Sequence, residues 1–537
     1  MTRVVDDGKL GIGDQFRHER VPFGRGDLAT GHDIALPFGR AQLLDGLMDD
    51  LHALAHLGHA AKVTVIAVAV LANRDLEVEL VIAFVGLRAA QVPGHTRPAH
   101  HHAGKAPLLD VLFADHADIG VRDGQIVEIG DLSRAAATRK IDAHGLHVLP
   151  GIIDSQVHFR EPGLEHKEDL ETGSRAAVLG GVTAVFEMPN TNPLTTSEEA
   201  LADKVKRARH RMHCDFAFWV GGTRENAAIV GELERLPGAA GIKVFMGSST
   251  GNLLVEDDEG VASVLRNTRR RAAFHSEDEF RLRERANLRV DDDPSSHPVW
   301  RDEATALMCT ERLVRIARET RARIHVLHIS TAEEIAFLQN HKDVATAEAT
   351  PHHLTLTADD YATLGTLIQM NPPVRAPHHR DSIWRGVGQG VIDVLGSDHA
   401  PHTLAEKAKP YPASPSGMTG VQTLVPIMLD HVNAGKLSLE RFVDLSSHGP
   451  NRLFGIARKG RIAAGYDADF PIVDLKRRET IRNDQAGSKA GWTPYDGKEV
   501  TGWPVGTVVR GTRVMWEGEI VAPGRGEPVL FSEALPV

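Results

Sequence analysis

The sequence predicts an α/β chain. A (β/α)8 barrel of the TIM type is inserted into a small β-sandwich domain supplied by both flanks, with an N-terminal extension of unassigned fold in front. Three observations predict it. From Ile152 onward, short apolar strands alternate with amphipathic helical stretches, the pattern of a parallel sheet covered by crossover helices. About eight such strands over ~300 residues suit a closed barrel better than an open doubly wound sheet. No Gly-rich dinucleotide loop follows the first strand, which weakens the open-sheet reading further.

The elements follow in order. Residues 1–106 carry mixed signals: "ALPFGRAQLLDGLMDDLHALAHL" has helical periodicity, and "VTVIAVAVLANRDLEVELVIAFVG" reads as two strands around Asn73–Arg74. "VPGHTRPAHHHAGKAP" reads as a linker. Residues 107–150 open the β domain, where "ADIGVRDGQIVEIGDL" alternates on either side of Asp123–Gly124, a hairpin turn signal. Residues 151–455 form the barrel. After the strand at Ile152 come "GGVTAVFEM", "HCDFAFWVG", "AGIKVFMG", "RRAAFHS", "ARIHVLHIS", "DVATAEATPHH" and "GVIDVLGSD". Helical "SEEALADKVKRARHRM" and "LMCTERLVRIARET" lie between them. Residues 456–525 return to alternating strands in "GRIAAGYDADFPIVDL" and "GTVVRGTRVMWEGEIV", expected to pair with the strands before Pro150. Residues 526–537 are expected as a C-terminal tail.

Composition narrows the function classes. The 537 residues are 42% hydrophobic and 25% charged, ordinary for a globular protein with a large core. A net charge of −11 argues against a nucleic-acid partner, which needs a basic surface. Only Cys214 and Cys309 occur, which excludes a disulfide framework and a cysteine zinc module and fits a reducing compartment. The apolar run "VTVIAVAVLA" is about half of the ~20 residues a membrane span needs. No basic segment followed by an apolar one opens the chain. A cytoplasmic enzyme acting on a small molecule is the expectation.

Chemistry collects at the C-terminal ends of barrel strands. In order, those ends carry Gln156, His158 and Arg160; Asn190; Lys243; His275; His328; and Asp398. Gln156 and His158 are two apart on a strand and share a face. Taken singly, each residue has a structural explanation as a core histidine, an N-cap or a snorkelling lysine. Taken as a set, three imidazoles and a carboxylate suit Zn²⁺ or a similar divalent ion. Burial and neighbouring cations push a lysine there toward the neutral amine, which can add CO2 to become an anionic carbamate able to bridge two metals. His325, three positions before His328, faces away and is expected in the core.

The segments "GIIDSQVHFREPGLEHKEDLETGSRAAVLGGVTAVFEMPNTNP", "GIKVFMGSSTG", "VLHIS", "QMNPPVR", "GSDHAPHTLAEKAKPYPASPSGMTG" and "KGRIAAGYDADFPIVDL" resemble the dihydroorotase branch of the amidohydrolase superfamily. The resemblance covers about residues 107–525, and hydantoinases and allantoinases are further relatives. It implies reversible hydrolysis of dihydroorotate to carbamoyl aspartate in pyrimidine synthesis. It implies one metal on His158 and Asp398, another on His275 and His328, and carboxylated Lys243 between them, with Asp398 as the catalytic base. Arg160, Asn190, Asn371 and His402 are implied contacts to the substrate, Arg160 because a guanidinium grips a carboxylate bidentately. "HTLAEKAKPYPASPSGMTG" is long enough to form a lid.

Gln156 departs from the family pattern, which has His there. An amide oxygen is a weaker zinc ligand than imidazole, so three outcomes stand. Gln156 ligates weakly; or one ion remains, on His275, His328 and Lys243; or the chain is a non-catalytic homologue that acts as a scaffold for aspartate transcarbamoylase. The other ligands are all present, which favours a working site. A homodimer is the assembly the family implies, and a hydantoinase-like hydrolase of another cyclic amide is the alternative enzyme.

Overall fold

The computed structural model describes residues 80–83, 117–248 and 253–532. The helix and first strand expected before residue 80, and the linker after residue 91, lie outside the described residues.

The first flank contributes β1 (Leu80–Ala83), β2 (Asp118–Arg122), β3 (Gln125–Gly130) and β4 (His147–Val148). β2 and β3 form the hairpin read from Asp123–Gly124, and both turn residues have positive φ (49° and 76°), as a tight two-residue hairpin requires. β1, which the sequence places in the extension, pairs antiparallel with the outer edge of β2 from Leu80↔Val121 to Ala83↔Asp118. It satisfies backbone groups that an open edge would leave bare.

The barrel strands are β5 (Ile152–Val157), β6 (Val182–Glu187), β7 (Asp215–Gly221), β8 (Ala239–Phe245), β9 (Ala272–His275), β10 (Ile324–Val326), β11 (Ala345–Ala349) and β12 (Val394–Leu395), hydrogen-bonded in sequence order. β5 to β8 are buried at every position, which is why they read as continuous apolar runs. The ring closes between β5 and β12. There the His158 amide donates to the His399 carbonyl (2.7 Å) and the Ser397 amide to Asp154 Oδ1 (2.9 Å). Helices α1 (Leu170–Leu179), α2 (Glu198–Ala208), α3 (Asp258–Asn267), α4 (Glu303–Thr320) and α5 (Ala332–Leu338) each start at a side-chain cap: Asp169, Ser197, Asp257, Asp302 and Thr331.

The second flank supplies β13 (Phe470–Thr480), β14 (Glu499–Val509), β15 (Thr512–Trp516) and β16 (Glu519–Ile520), which join β4 in the order β16-β15-β14-β13-β4. The pairing Ile472↔Val148 and Val473↔His147 unites the two flanks, and Ile119, Ile126, Val148, Phe470, Ile472 and Val508 share one core between them. β13 starts ten residues later than the alternation from Gly460 suggests, because Asp467 and Asp469 are drawn instead to a buried ammonium. Lys459 Nζ lies 2.6 Å from Asp215 at the start of β7, 2.6 Å from Asp469 and 3.1 Å from Asp467. These three aspartates have the spacing of a cation site; the cation they hold is the lysine.

The segment expected as a tail from residue 526 is integrated up to Ser532. The Phe216 amide donates to the Glu527 carbonyl and the Val529 amide to the Phe216 carbonyl. Phe531 packs with Phe186, and Phe454 with Trp219, at the floor of the barrel. Glu527 is tied to the same ion cluster, its amide donating to Asp215 Oδ1 at 2.9 Å.

Removing a buried ammonium strands the carboxylates it pairs. Lys459→Met is therefore expected to cost about 3–5 kcal/mol in urea unfolding, whereas loss of one exposed partner such as Arg458 costs about 0–1 kcal/mol.

Candidate active site

A small pocket at the C-terminal end of the barrel gathers Gln156, His158, Lys243, His275, His328 and Asp398, with Asn371 at its wall. Five strands bring them together: β5 carries Gln156 and, just beyond it, His158; β8 carries Lys243; β9 ends on His275; His328 follows β10; Asp398 follows β12. His328 and Asp398 both turn inward through positive φ (37° and 47°), backbone geometry that costs about 1–3 kcal/mol and clusters at functional sites.

The cavity has two halves. In one, His275 Nδ1 and His328 Nε2 stand 3.1 Å apart with their rings nearly perpendicular. Two nitrogens on one tetrahedral ion, with bonds of about 2.0 Å, sit about 3.3 Å apart. His275 is oriented from behind: its Nε2 donates to Glu277 Oε2 (2.9 Å), and Glu277 is itself held by Arg301 at 2.6 Å. That donation leaves Nδ1 as a lone pair facing the cavity. Lys243 Nζ has no hydrogen-bond partner among the described residues and lies 4.3 Å from the centre of the Phe245 ring. Burial pulls its amine down to about 7.

In the other half, His158 Nδ1 donates to Asn190 Oδ1 at 2.7 Å, so that Nε2 and Asp398 Oδ1 face each other as acceptors 3.2 Å apart. Gln156 Nε2 donates to the same Asp398 oxygen at 3.0 Å, and Gln156 Oε1 is buried without a partner. The donor set and its orphaned atoms fit a divalent cation.

Arg160, Asn190 and His402 lie beside this half. Arg160 has φ +66° and is buried; its Nε donates to the Pro401 carbonyl (3.1 Å), and it forms no ion pair among the described residues. Burial lowers the guanidinium to about 10. Both ring nitrogens of His402 are engaged. Nδ1 accepts from Lys167 Nζ at 3.1 Å, and Nε2 donates to the Ser416 carbonyl at 3.0 Å while lying 3.4 Å from Arg160 Nη2.

The segment expected as a lid is strapped down. Lys407 is buried inside it and donates to the carbonyls of Gln369 (3.2 Å) and Pro415 (2.9 Å). Gly417, which lines the cavity, has φ +142°, and a Cβ there would meet the Ala400 carbonyl oxygen at 2.4 Å. The roof closes this tightly only with glycine at that point.

His325 sits in the core as expected, hydrogen-bonded to Thr346 (2.9 Å). Glu348 was missed by the strand-end reading. It stands on β11 beneath the cavity, accepting from Ser155 Oγ (2.9 Å) and the His328 amide (3.4 Å), with its carboxyl pushed up to about 8 by burial. A glutamate inside the apolar run "DVATAEATPHH" was the available signal.

The Lys243 amine has a pH signature. Its folded pKa is depressed, so between about pH 7 and the ordinary lysine range the unfolded chain binds a proton that the folded chain does not. Across that window this group makes stability rise with pH by about 1.4 kcal/mol per unit. In metal-free, CO2-depleted buffer, Lys243→Met is expected to flatten the curve of unfolding free energy against pH; parallel curves would refute the depressed amine.

Residues 147–514 match the family model described as "Amidohydrolase family". The dihydroorotase of Methanosarcina acetivorans is 37% identical over 427 residues, covering 76% of this chain and 91% of that protein. The dihydroorotase of Halobacterium salinarum is 39% identical over 403 residues, covering 72% and 91%. Among solved structures, the L-hydantoinase (dihydropyrimidinase) from Arthrobacter aurescens superposes with a TM-score of 0.74 at 31% identity, covering 77% of this chain and 96% of that one. The barrel, its polar mouth and these likenesses lead to one assignment: the chain belongs to the amidohydrolase family, in the cyclic-amide branch that holds dihydroorotases and hydantoinases.

Proposed function

We propose that this chain is a metal-dependent dihydroorotase, hydrolysing the ring amide of dihydroorotate reversibly to N-carbamoyl aspartate. The observation that carries the substrate choice is Arg160, a buried guanidinium beside the cavity that forms no ion pair among the described residues. Dihydroorotate brings an anionic carboxylate on its ring, and a guanidinium buried without an anion lacks compensation for its desolvation.

His275 and His328 would hold one divalent ion, for which zinc suits the donor set. His158, Asp398 and the amide oxygen of Gln156 would hold a second. Lys243 would stand between them as a carbamate: its neutral amine bonds to the carbon of CO2 and releases one N–H proton. When bound, the cation supplies a water acidified toward neutrality and polarises the carbonyl to be attacked. The protein does the rest. Asp398 takes the proton as the water oxygen bonds to the amide carbon, and gives it to the ring nitrogen as the C–N bond breaks. Arg160 and Asn190 hold the carboxylate so that the amide lies over the attacking oxygen. The strapped roof keeps bulk water out.

A second reading, hydrolysis of a ring amide without that carboxylate, is favoured by the structural likeness to an L-hydantoinase. Arg160→Lys separates the two. It is expected to raise KM for dihydroorotate by about tenfold or more while sparing hydantoin, and equal losses on both would refute the carboxylate role. Metal analysis beside turnover tests the cation. After dialysis the wild type is expected to keep about one ion and Gln156→His about two, because imidazole binds more firmly than an amide oxygen. A wild type that holds no metal and leaves dihydroorotate intact would instead support the scaffold role.

A further inference from the structure

The long excursion after β9 sends one histidine back to the cavity wall. His297 is buried, and its Nε2 lies 2.9 Å from Asn371 Oδ1 and 3.0 Å from the Met370 carbonyl oxygen. A backbone carbonyl only accepts, so Nε2 carries the proton. The Asn371 atom facing it must then be the amide oxygen, because an amide NH2 there would oppose another donor. The other ring nitrogen agrees: Nδ1 is left as a lone pair, and the Tyr411 hydroxyl, 3.4 Å away, is placed to donate to it. Tyr411 belongs to the roof segment and is itself buried.

We propose that His297 is a positioning residue that locks Asn371 with its NH2 group toward the cavity, so that the wall presents a hydrogen-bond donor and selects a ligand with a carbonyl or carboxylate oxygen there. The chain Tyr411 O–H to His297, His297 N–H to Asn371 Oδ1, and Asn371 N–H to ligand runs in one direction, and each link fixes the next. A ring N–H at that point would meet another donor and be rejected. Burial, with Arg301 nearby, lowers the His297 imidazole to about 3, so the direction does not reverse in the neutral range. The inference rests on reading the cavity as the substrate site.

Three variants test it. His297→Leu is expected to raise KM for dihydroorotate about tenfold with kcat within about threefold, the loss of one oriented hydrogen bond. His297→Gln, which still offers an N–H, is expected to recover most of that loss. Asn371→Asp is nearly isosteric and turns an acceptor toward the ligand; it is expected to raise KM by about a hundredfold. Melting curves and metal content are followed alongside. If His297→Leu fails to fold, the other two decide. Equal impairment of the Leu and Gln variants, a fall in kcat at unchanged KM, or undisturbed binding by Asn371→Asp would each overturn the proposal. Failure of the wild type on dihydroorotate would overturn the functional reading alone. The same series on hydantoin, whose carbonyl oxygens are also acceptors, would still decide the orientation.

Discussion

Strands β5 and β12 meet at a seam held by a handful of hydrogen bonds, and the cavity depends on it. The His158 amide reaches the His399 carbonyl, and Asp154 receives the Ser397 amide. That registers the Gln156–His158 pair against Asp398 across 240 residues of chain. Glu348 extends the same clamp beneath the floor by joining Ser155 of β5 to the His328 amide. Ligand spacing tolerates errors of only a few tenths of an ångström, and strand register supplies that precision where loops do not.

The buried charges divide into two groups. Most are compensated: Lys459 among three aspartates, Glu277 with Arg301, and Lys204 with Glu187. Such groups hold neighbouring elements in register, and removing one partner is destabilising because the other stays buried. Among the described residues, Lys243, Arg160 and Lys407 are buried without an ion-pair partner, and Lys407 is held by the carbonyls of Gln369 and Pro415. Burial lowers the pKa values of Lys243 and Arg160; Lys243 lines the cavity, and Arg160 lies beyond His158, past the end of β5. The unpartnered Lys243 amine and Gln156 amide oxygen in the cavity mark the place where a ligand would complete the electrostatics.

Legibility in the sequence followed period and range. All eight barrel strands coincide with apolar runs bounded by turns, and three hairpins carry an X-Gly pair with positive φ: Asp123–Gly124, Arg510–Gly511 and Glu517–Gly518. The polar strand ends pointed to the cavity because an apolar strand that finishes on His, Lys or Asp breaks its own pattern. Three features were less legible. Glu348 shows only as a charge inside an apolar run, and its partners come from β5 and from the residue two beyond β10. His297 sits in irregular chain, where no period singles it out. The segment after residue 526 has too few residues to show a pattern, and its place under the barrel is set by Phe216 and Asp215, some three hundred residues earlier.

The sequence by itself determined the class of fold, the order of its elements and the residue types at the barrel mouth. These depend on local spacing: which side chains share a face, which turns need glycine, which strands are buried on both sides. Tertiary structure decided what each polar atom faces. Asn371 presents a donor because His297 holds its oxygen, both His402 nitrogens are engaged by Lys167 and Ser416, and three aspartates with the spacing of a cation site enclose a lysine. Hydrogen-bond direction and ion pairing are pairwise properties of groups far apart in the chain, so they come into existence only when folding brings the partners within about 3 Å.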